Sequence, residues 1–165
     1  MEKFSLRKAS LSDGIAFYEM LQRIGKNENE FKNTANGLSL LEFSDWLAAQ
    51  VNWSNGKNLP KGYVPQTVFW LLVNDFPVGI GKIRHRLNDN SRTKGGNIGY
   101  AIDPIHRGKG YATVLLGELI KQAKKMNIGE LLLTVEKNNP ASKRVIEKCG
   151  GRLLRENKYR WFFTF

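Results

Sequence analysis

Asp103-Pro104-Ile105-His106-Arg107-Gly108-Lys109-Gly110-Tyr111-Ala112 is the stretch whose reading decides the fold of this chain. Ahead of it, Asn97 to Ile102 reads as a strand, and Pro104 stops it. Behind it, Gly110 to Met126 reads as a helix. Ala112, Leu115, Leu116, Leu119, Ala123 and Met126 share an apolar face, while Glu118, Lys121, Gln122 and Lys125 share the other. Gly108 and Gly110 carry no Cβ, so backbone there can approach a ligand closely. The helix start presents unpaired N–H groups and the positive end of its dipole, and Arg107 and Lys109 add two formal charges. Together these features predict an anion site with pyrophosphate as its natural occupant. The competing reading is a tight strand-to-helix turn with solvated basic side chains. Neither a Gly-x-x-x-x-Gly-Lys-Ser/Thr loop nor the third glycine and downstream acid of a dinucleotide fingerprint is present.

Working outward, Phe4 to Arg7 reads as a short strand. Ser10 and Asp13 look like the cap of a helix carrying Phe17, Met20, Leu21 and Ile24 on one face and ended by Gly25. Lys26 to Gly37 is a polar stretch, and Ser39 with Glu42 opens a second helix through Leu40, Phe43, Trp46, Leu47 and Val51. Ser54 to Pro65 is a loop. Gln66 to Val73 and Val78 to Leu87 are strands about an Asn74-Asp75 turn, and the glycine-containing Leu87 to Gly96 is a hairpin loop. Glu130 to Val135 is near-continuously apolar, the pattern of a strand buried on both faces. Pro140 suits the first turn of a helix that Gly150-Gly151 ends, and Arg152 to Leu154 with Tyr159 to Phe165 form a closing hairpin. The order β-α-α-β-β-β-α-β-α-β-β is that of an α/β (α+β) chain with a mixed sheet, and 165 residues suit a single domain, 1–165.

Composition narrows the function. With 26 Lys+Arg against 15 Asp+Glu the net charge is +11, which attracts polyanions or phosphorylated small molecules. The basic residues are scattered rather than gathered with aromatics, which argues against a nucleic-acid binder. No apolar run has the length of a membrane span, and Met1 to Arg7 breaks into charge too quickly to read as a signal peptide. A single cysteine, Cys149, excludes an internal disulfide and fits a reducing cytoplasm, where it reads as a small buried thiol. His85 and His106 lie far from it, so no metal cluster is expected.

Arg107-Gly108-Lys109-Gly110-Tyr111-Ala112 resembles the Arg/Gln-x-x-Gly-x-Gly/Ala signature of the GNAT superfamily, the acetyl-CoA-dependent N-acetyltransferases. Ile98-Gly99-Tyr100-Ala101-Ile102-Asp103-Pro104 resembles that family's fourth strand. Asn139-Pro140-Ala141-Ser142 and Glu147-Lys148-Cys149-Gly150-Gly151 resemble its later segments. The resemblance is sharp from Gly96 to Gly151, and a little-characterised bacterial branch is similar around Ile83 to Tyr100. It implies a mostly antiparallel twisted sheet flanked by about four helices, with two central strands splayed apart. It also implies acetyl-CoA as acyl donor, an amine acceptor on a small molecule, peptide or protein, and a homodimer. Ala101 and Ile102 would bond the pantetheine arm through their backbone. Arg107, Gly108, Lys109, Gly110, Tyr111, Ala112 and Thr113 would hold the pyrophosphate, with Asn139 and Ser142 on the other side of the cofactor. Asn139 is also carried as a catalytic candidate.

One departure bears on catalysis. The tyrosine that the family places seven residues after its asparagine, to protonate the departing thiolate, is Ile146 here. Ser142 or Tyr100 could supply the hydroxyl instead. His85 is the candidate base, because histidine titrates near neutrality and its arginine neighbours favour the neutral ring; the competing reading is a surface histidine on a strand. The acceptor would be shaped by Lys26 to Gly37 and Ser54 to Gln66. The rival function is a non-catalytic module that binds CoA or nucleic acid.

Overall fold

In the computed structural model, which describes residues 1–165, nine strands and five helices follow one another. They are β1 (Phe4–Lys8), α1 (Ile15–Arg23), β2 (Asn27–Glu28), β3 (Phe31–Lys32), α2 (Leu40–Ser54), β4 (Gln66–Val73), β5 (Phe76–Arg84), α3 (Asp89–Thr93), β6 (Ile98–Ile102), α4 (Tyr111–Lys125), β7 (Leu132–Glu136), α5 (Pro140–Lys148), β8 (Arg152–Glu156) and β9 (Arg160–Thr164). One antiparallel sheet has the order β1-β4-β5-β6, a second the order β7-β9-β8, and β2 with β3 makes a separate hairpin.

The β4–β5 hairpin turns on Asn74 and Asp75, whose φ angles of 49° and 66° are the left-handed pair that suits the strands' own twist. Every residue of β4 is buried, because both faces of the sheet are covered. Met20, Leu21, Phe43 and Trp46 of α1 and α2 pack with Trp70 and Ile80 on one face. Leu115 and Leu119 of α4 pack with Phe69, Leu71, Leu133 and Phe163 on the other. Gly79 and Gly81 let α4 lie directly on β5: a Cβ at Gly81 would stand 2.5 Å from Leu119 Cδ1, and one at Gly79 would stand 3.2 Å from Leu115 Cδ2. The start of α4 is thereby pinned against the end of β6.

The two sheets meet at a fork. β6 and β7 are joined by the α4 crossover and so run in the same direction, yet they share no ladder. Their contact is Asn97, only 2% exposed, whose amide donates to the Leu132 carbonyl at 2.7 Å and whose Oδ1 accepts from the Leu132 amide at 2.9 Å. Its Nδ2 and carbonyl meanwhile bond Arg84 of β5. Gly96 makes the close approach possible, since a Cβ there would lie 2.2 Å from the Leu132 carbonyl oxygen. Beyond Asn97 the strands part.

Several expectations change. Five helices form rather than about four, because Asn88 caps a one-turn helix, α3, inside the expected loop. The polar stretch from Lys26 contains the β2–β3 hairpin. Asp13 does not cap α1, which starts after Gly14 with no side-chain cap. Its carboxylate is instead spent on Arg7 (2.6 Å), the Trp70 indole (2.7 Å) and the Ser10 amide (2.7 Å). Helix α1 ends at Arg23 rather than Gly25, its last carbonyls, those of Leu21 and Gln22, accepting from the Asn33 and Asn36 side-chain amides. β7 alternates buried and half-buried residues, since one of its faces looks into the fork.

Candidate active site

The parting of β6 and β7 opens a cleft of about 380 Å³ that ends at the start of α4. Asp103 sets up this end: its carboxylate accepts from the Ile105 amide and holds Arg23 through both oxygens, at 2.6–3.1 Å. The chain then makes one 3-10 turn and reaches Gly108 (φ 77°) and Gly110 (φ 82°), both in the left-handed region that glycine tolerates. No protein atom lies within 4 Å of a Cβ built on either glycine. The amides of Gly108, Lys109, Gly110, Tyr111 and Ala112 donate to no acceptor in the protein, whereas that of Thr113 already bonds the Gly110 carbonyl at 3.1 Å. Five successive free N–H groups at a helix start make a nest for an anion.

The side chains are arranged less simply. Arg107 lines the cleft, but its guanidinium pairs with Glu28 of β2 and donates to the Ile102 carbonyl (Nε, 3.1 Å). That pairing also holds the Glu28 carboxyl below its ordinary range. Lys109 does not line the cleft; its ammonium sits 5.9 Å from the centre of the Tyr111 ring. The Tyr111 side chain is core, packed edge-on against Phe4 with its hydroxyl on Glu2. It therefore offers the loop only its amide. His106 lies between the Phe76 and Tyr111 rings as part of the cleft wall, its Nε2 buried without a partner.

Along the cleft, strand alternation decides which backbone groups are free. Asp103 N donates to Val78 at one end of the β5–β6 ladder and Arg84 N to Asn97 at the other. The residues bonded to β5 between them are therefore Gly99 and Ala101. Tyr100 and Ile102 turn their backbone groups toward the fork. Ala101 lines the cleft, but its amide and carbonyl are committed to β5, a correction to its expected backbone role; Tyr100 takes that position beside Ile102.

The opposite wall is α5. Asn139 caps it by accepting from the Ser142 amide (3.2 Å), and Pro140 occupies the first turn. The Ser142 hydroxyl and the Tyr100 hydroxyl are 2.7 Å apart, bridging the fork. Burial pushes the Tyr100 phenol up to about 12, an effect the Ser142 contact partly offsets. Ile146, one turn further along α5, is buried and aimed at the same region. The Tyr100–Ser142 hydroxyl pair and Ile146 thus line the same space, the phenol reaching it from β6 and the serine from α5. The Cys149 thiol, half-buried against the core with its Sγ on the Thr113 carbonyl, is pushed up by burial.

Past the hydroxyl pair the cleft continues into a narrow passage of about 110 Å³ under the β2–β3 hairpin, lined by Phe31, Lys82, Thr134 and Ile146 among others. The passage opens into a pocket of about 640 Å³. Lys26, Asn27, Lys32 and Thr34 form one wall, Gly62, Tyr63, Val64 and Gln66 another, and Lys82, Arg84 and Lys94 the floor and rim. Lys82 lines passage and pocket alike, its Nζ 2.7 Å from the Lys32 carbonyl and 4.7 Å from the Phe31 ring centre. Burial, helped by Arg84 and Lys32, brings its ammonium down to about 7. His85 is not brought together with these residues. Its Nε2 bonds Thr67 Oγ1 (2.7 Å), it lines none of the three spaces, and burial with Lys8 and Arg86 depresses its titration. Lys82 was missed because an isolated lysine in a strand carries no signal of its own burial.

Comparison with known proteins fits this geometry. The fold is shared with an acetyltransferase of the GNAT family from Streptococcus pneumoniae (TM-score 0.64, 20% identity, 99% of both chains). It is also shared with RimL, a ribosomal-protein alpha-N-acetyltransferase in complex with coenzyme A (TM-score 0.72, 15% identity, 98% of this chain and 93% of that). The Campylobacter jejuni N-acetyltransferase PseH in complex with acetyl coenzyme A is a third (TM-score 0.61, 13% identity, 99% and 98%). No curated protein matches significantly in sequence. The family model of the acetyltransferase (GNAT) domain matches residues 3–152, and the chain belongs to this family of acetyltransferases. No helix is long and apolar enough to cross a membrane.

Proposed function

We propose that the protein is an N-acetyltransferase that binds acetyl-CoA in the β6–β7 cleft and transfers its acetyl group directly to a primary amine in the pocket beyond the passage. The row of five unpartnered amides from Gly108 to Ala112, at the mouth of a cleft leading to a hydroxyl pair, carries this reading. The likeness to coenzyme-bound GNAT folds supports it. Bound there, acetyl-CoA supplies a thioester as the acyl donor. The five amides hold its pyrophosphate, and the backbone groups of Tyr100 and Ile102 orient its arm.

The chain's own groups handle the protons. Lys82, whose ammonium burial brings down to about 7, accepts a proton at Nζ from the acceptor amine as the new C–N bond forms. Tyr100, which stays protonated across the neutral range, donates its hydroxyl proton toward the sulfur as the C–S bond breaks. Ser142 Oγ, 2.7 Å away, orients that hydroxyl and can hand on a replacement proton. Asn139 keeps Ser142 in place through the cap of α5. His85, bonded to Thr67, has no part in this scheme.

Thermal unfolding with acetyl-CoA tests the reading: at a hundred times its Kd the ligand adds about 2.7 kcal/mol of stability. Gly108→Val adds a branched side chain at a left-handed position that only glycine tolerates well, both filling the mouth of the cleft and bending the row of amides, and the shift should vanish. An unchanged shift in that variant would show that the loop does not hold the phosphates.

A further inference from the structure

The pocket beyond the passage is charged in one sense. Lys26, Lys32, Lys82, Arg84 and Lys94 line it, and none of these five cations forms an ion pair. The one acid on its wall, Glu30, is consumed elsewhere: its carboxylate pairs with Arg160 of β9 and accepts from the Glu136 amide. Arg84 is the least compensated of the group. It is half-buried, its guanidinium has five N–H donors, and a single protein bond is made, to the Gly96 carbonyl at 3.0 Å. Gly95, with φ 98°, leaves the space it occupies, since a Cβ there would come within 3.3 Å of Nη1. A cation drawn partly out of water without a counter-charge is unfavourable in the free protein, and an anionic ligand offsets that penalty.

This charge does not belong to the donor's phosphates. The cationic pocket shares no lining residue with the cleft at the glycine loop, while the passage between them shares residues with each. The pocket wall also carries Trp53 and Tyr63, packed edge to face with ring centres 5.3 Å apart. These give a ligand body an apolar surface beside the cations.

Resting on the N-acetyltransferase reading, we propose that the acceptor is a small molecule bearing an anionic group, carboxylate or phosphate, as well as the reacting amine. Lys32, Arg84 and Lys94 hold the anion, and the amine is presented to the passage beside Lys82. The same field assists the chemistry. Positive neighbours and loss of water favour the neutral form of a bound amine, as they do for Lys82 itself. A polyamine, with two or more positive charges and no anion to anchor it, is disfavoured on both counts.

The test uses the full chain saturated with coenzyme A, so that the phosphate loop is filled, and reads thermal shifts with inorganic phosphate, citrate or spermidine. Phosphate or citrate should stabilise the protein and spermidine should not. The apparent Kd for the effective anion should weaken at least ten-fold in Lys32→Ala/Lys94→Ala and stay unchanged in Lys124→Ala/Lys125→Ala, which removes equal charge from the far end of α4. A shift with phosphate alone assigns a phosphorylated amine, and one with citrate alone a carboxylated amine. No anion shift, or equal weakening in both double variants, overturns the proposal. Thiol release then compares O-phosphoethanolamine with ethanolamine and glutamate with its diester, the anionic member of the effective pair expected at least ten-fold higher in kcat/KM. Equal turnover of neutral or cationic amines would overturn the anion anchor while leaving acetyl transfer standing. Loss of the acetyl-CoA shift itself would instead remove the underlying reading.

Discussion

Asn97→Ala should loosen the fork on which the site depends, by an amount the structure lets one work out. The substitution keeps both backbone bonds of residue 97, to Leu132 and Arg84, and removes both side-chain bonds. That strands the Leu132 amide, previously on Oδ1 at 2.9 Å, and the Arg84 carbonyl, previously on Nδ2 at 3.2 Å. Each buried group left without a partner costs about 1–3 kcal/mol. Leu132 and Arg84 are half-buried rather than sealed, which favours the lower half of that range and a total of about 2–4 kcal/mol. With a urea m-value of about 2 kcal/mol/M, the unfolding midpoint should fall by about 1–2 M. Asn97→Asp retains the acceptor for Leu132 and should fall between wild type and alanine. Because β6 and β7 diverge from this residue, acetyl-CoA affinity should drop in the same order, measured below the unfolding transition. An unchanged midpoint in Asn97→Ala would refute the clamp. A lowered midpoint with unchanged affinity would refute its link to the cleft.

Tyr100→Phe should lower kcat by about 10²-fold while moving the KM for acetyl-CoA less than about threefold, the signature of a lost proton donor; undiminished kcat at saturation would remove Tyr100 from that role. For Lys82 the active form is the neutral amine, so kcat/KM should rise with pH and level off above about 7, and Lys82→Met should abolish that limb. A wild-type profile with no inflection there would count against it as base. The same group makes stability pH-dependent: its folded value lies below the ordinary 10.5, so the unfolded chain binds more protons between about 7 and 10.5. Stability should therefore gain from this residue as pH rises through that window, a gain absent in Lys82→Met.

Much of the fold could be read in advance where local signals and tertiary demands agree. The β-branched and aromatic run of β4, the Ser39–Glu42 capping box and the apolar stripe of α4 each state their own structure. The strand, glycine loop and helix start were legible for the same reason, since they are contiguous in the chain. What escaped notice depends on long-range partners. Asp13 has the look of a cap, but Arg7 and the Trp70 indole outcompete the helix amides for its carboxylate. Arg107 looks free for a phosphate until Glu28, far away in sequence, arrives beside it. Tyr100 and Ser142 are both candidates from the sequence for the hydroxyl absent at Ile146, but that the two stand 2.7 Å apart across the fork is something no helical spacing could announce. The five pocket cations span Lys26 to Lys94 and form no tract in the sequence; the fold alone gathers them.

The β2–β3 hairpin has a bearing on the order of events. It is moored to the glycine loop through Glu28 and Arg107, to β9 through Glu30 and Arg160, and to β5 through the Lys82 ammonium and the Lys32 carbonyl. Beneath it lies the narrow passage, which shares wall residues with both the cleft and the cationic pocket. The enzyme thus has two doors and one bridge between them. If the two reactants bind as proposed, each can come and go by its own door without displacing the other, and the intact hairpin keeps their reactive ends at a common crossing.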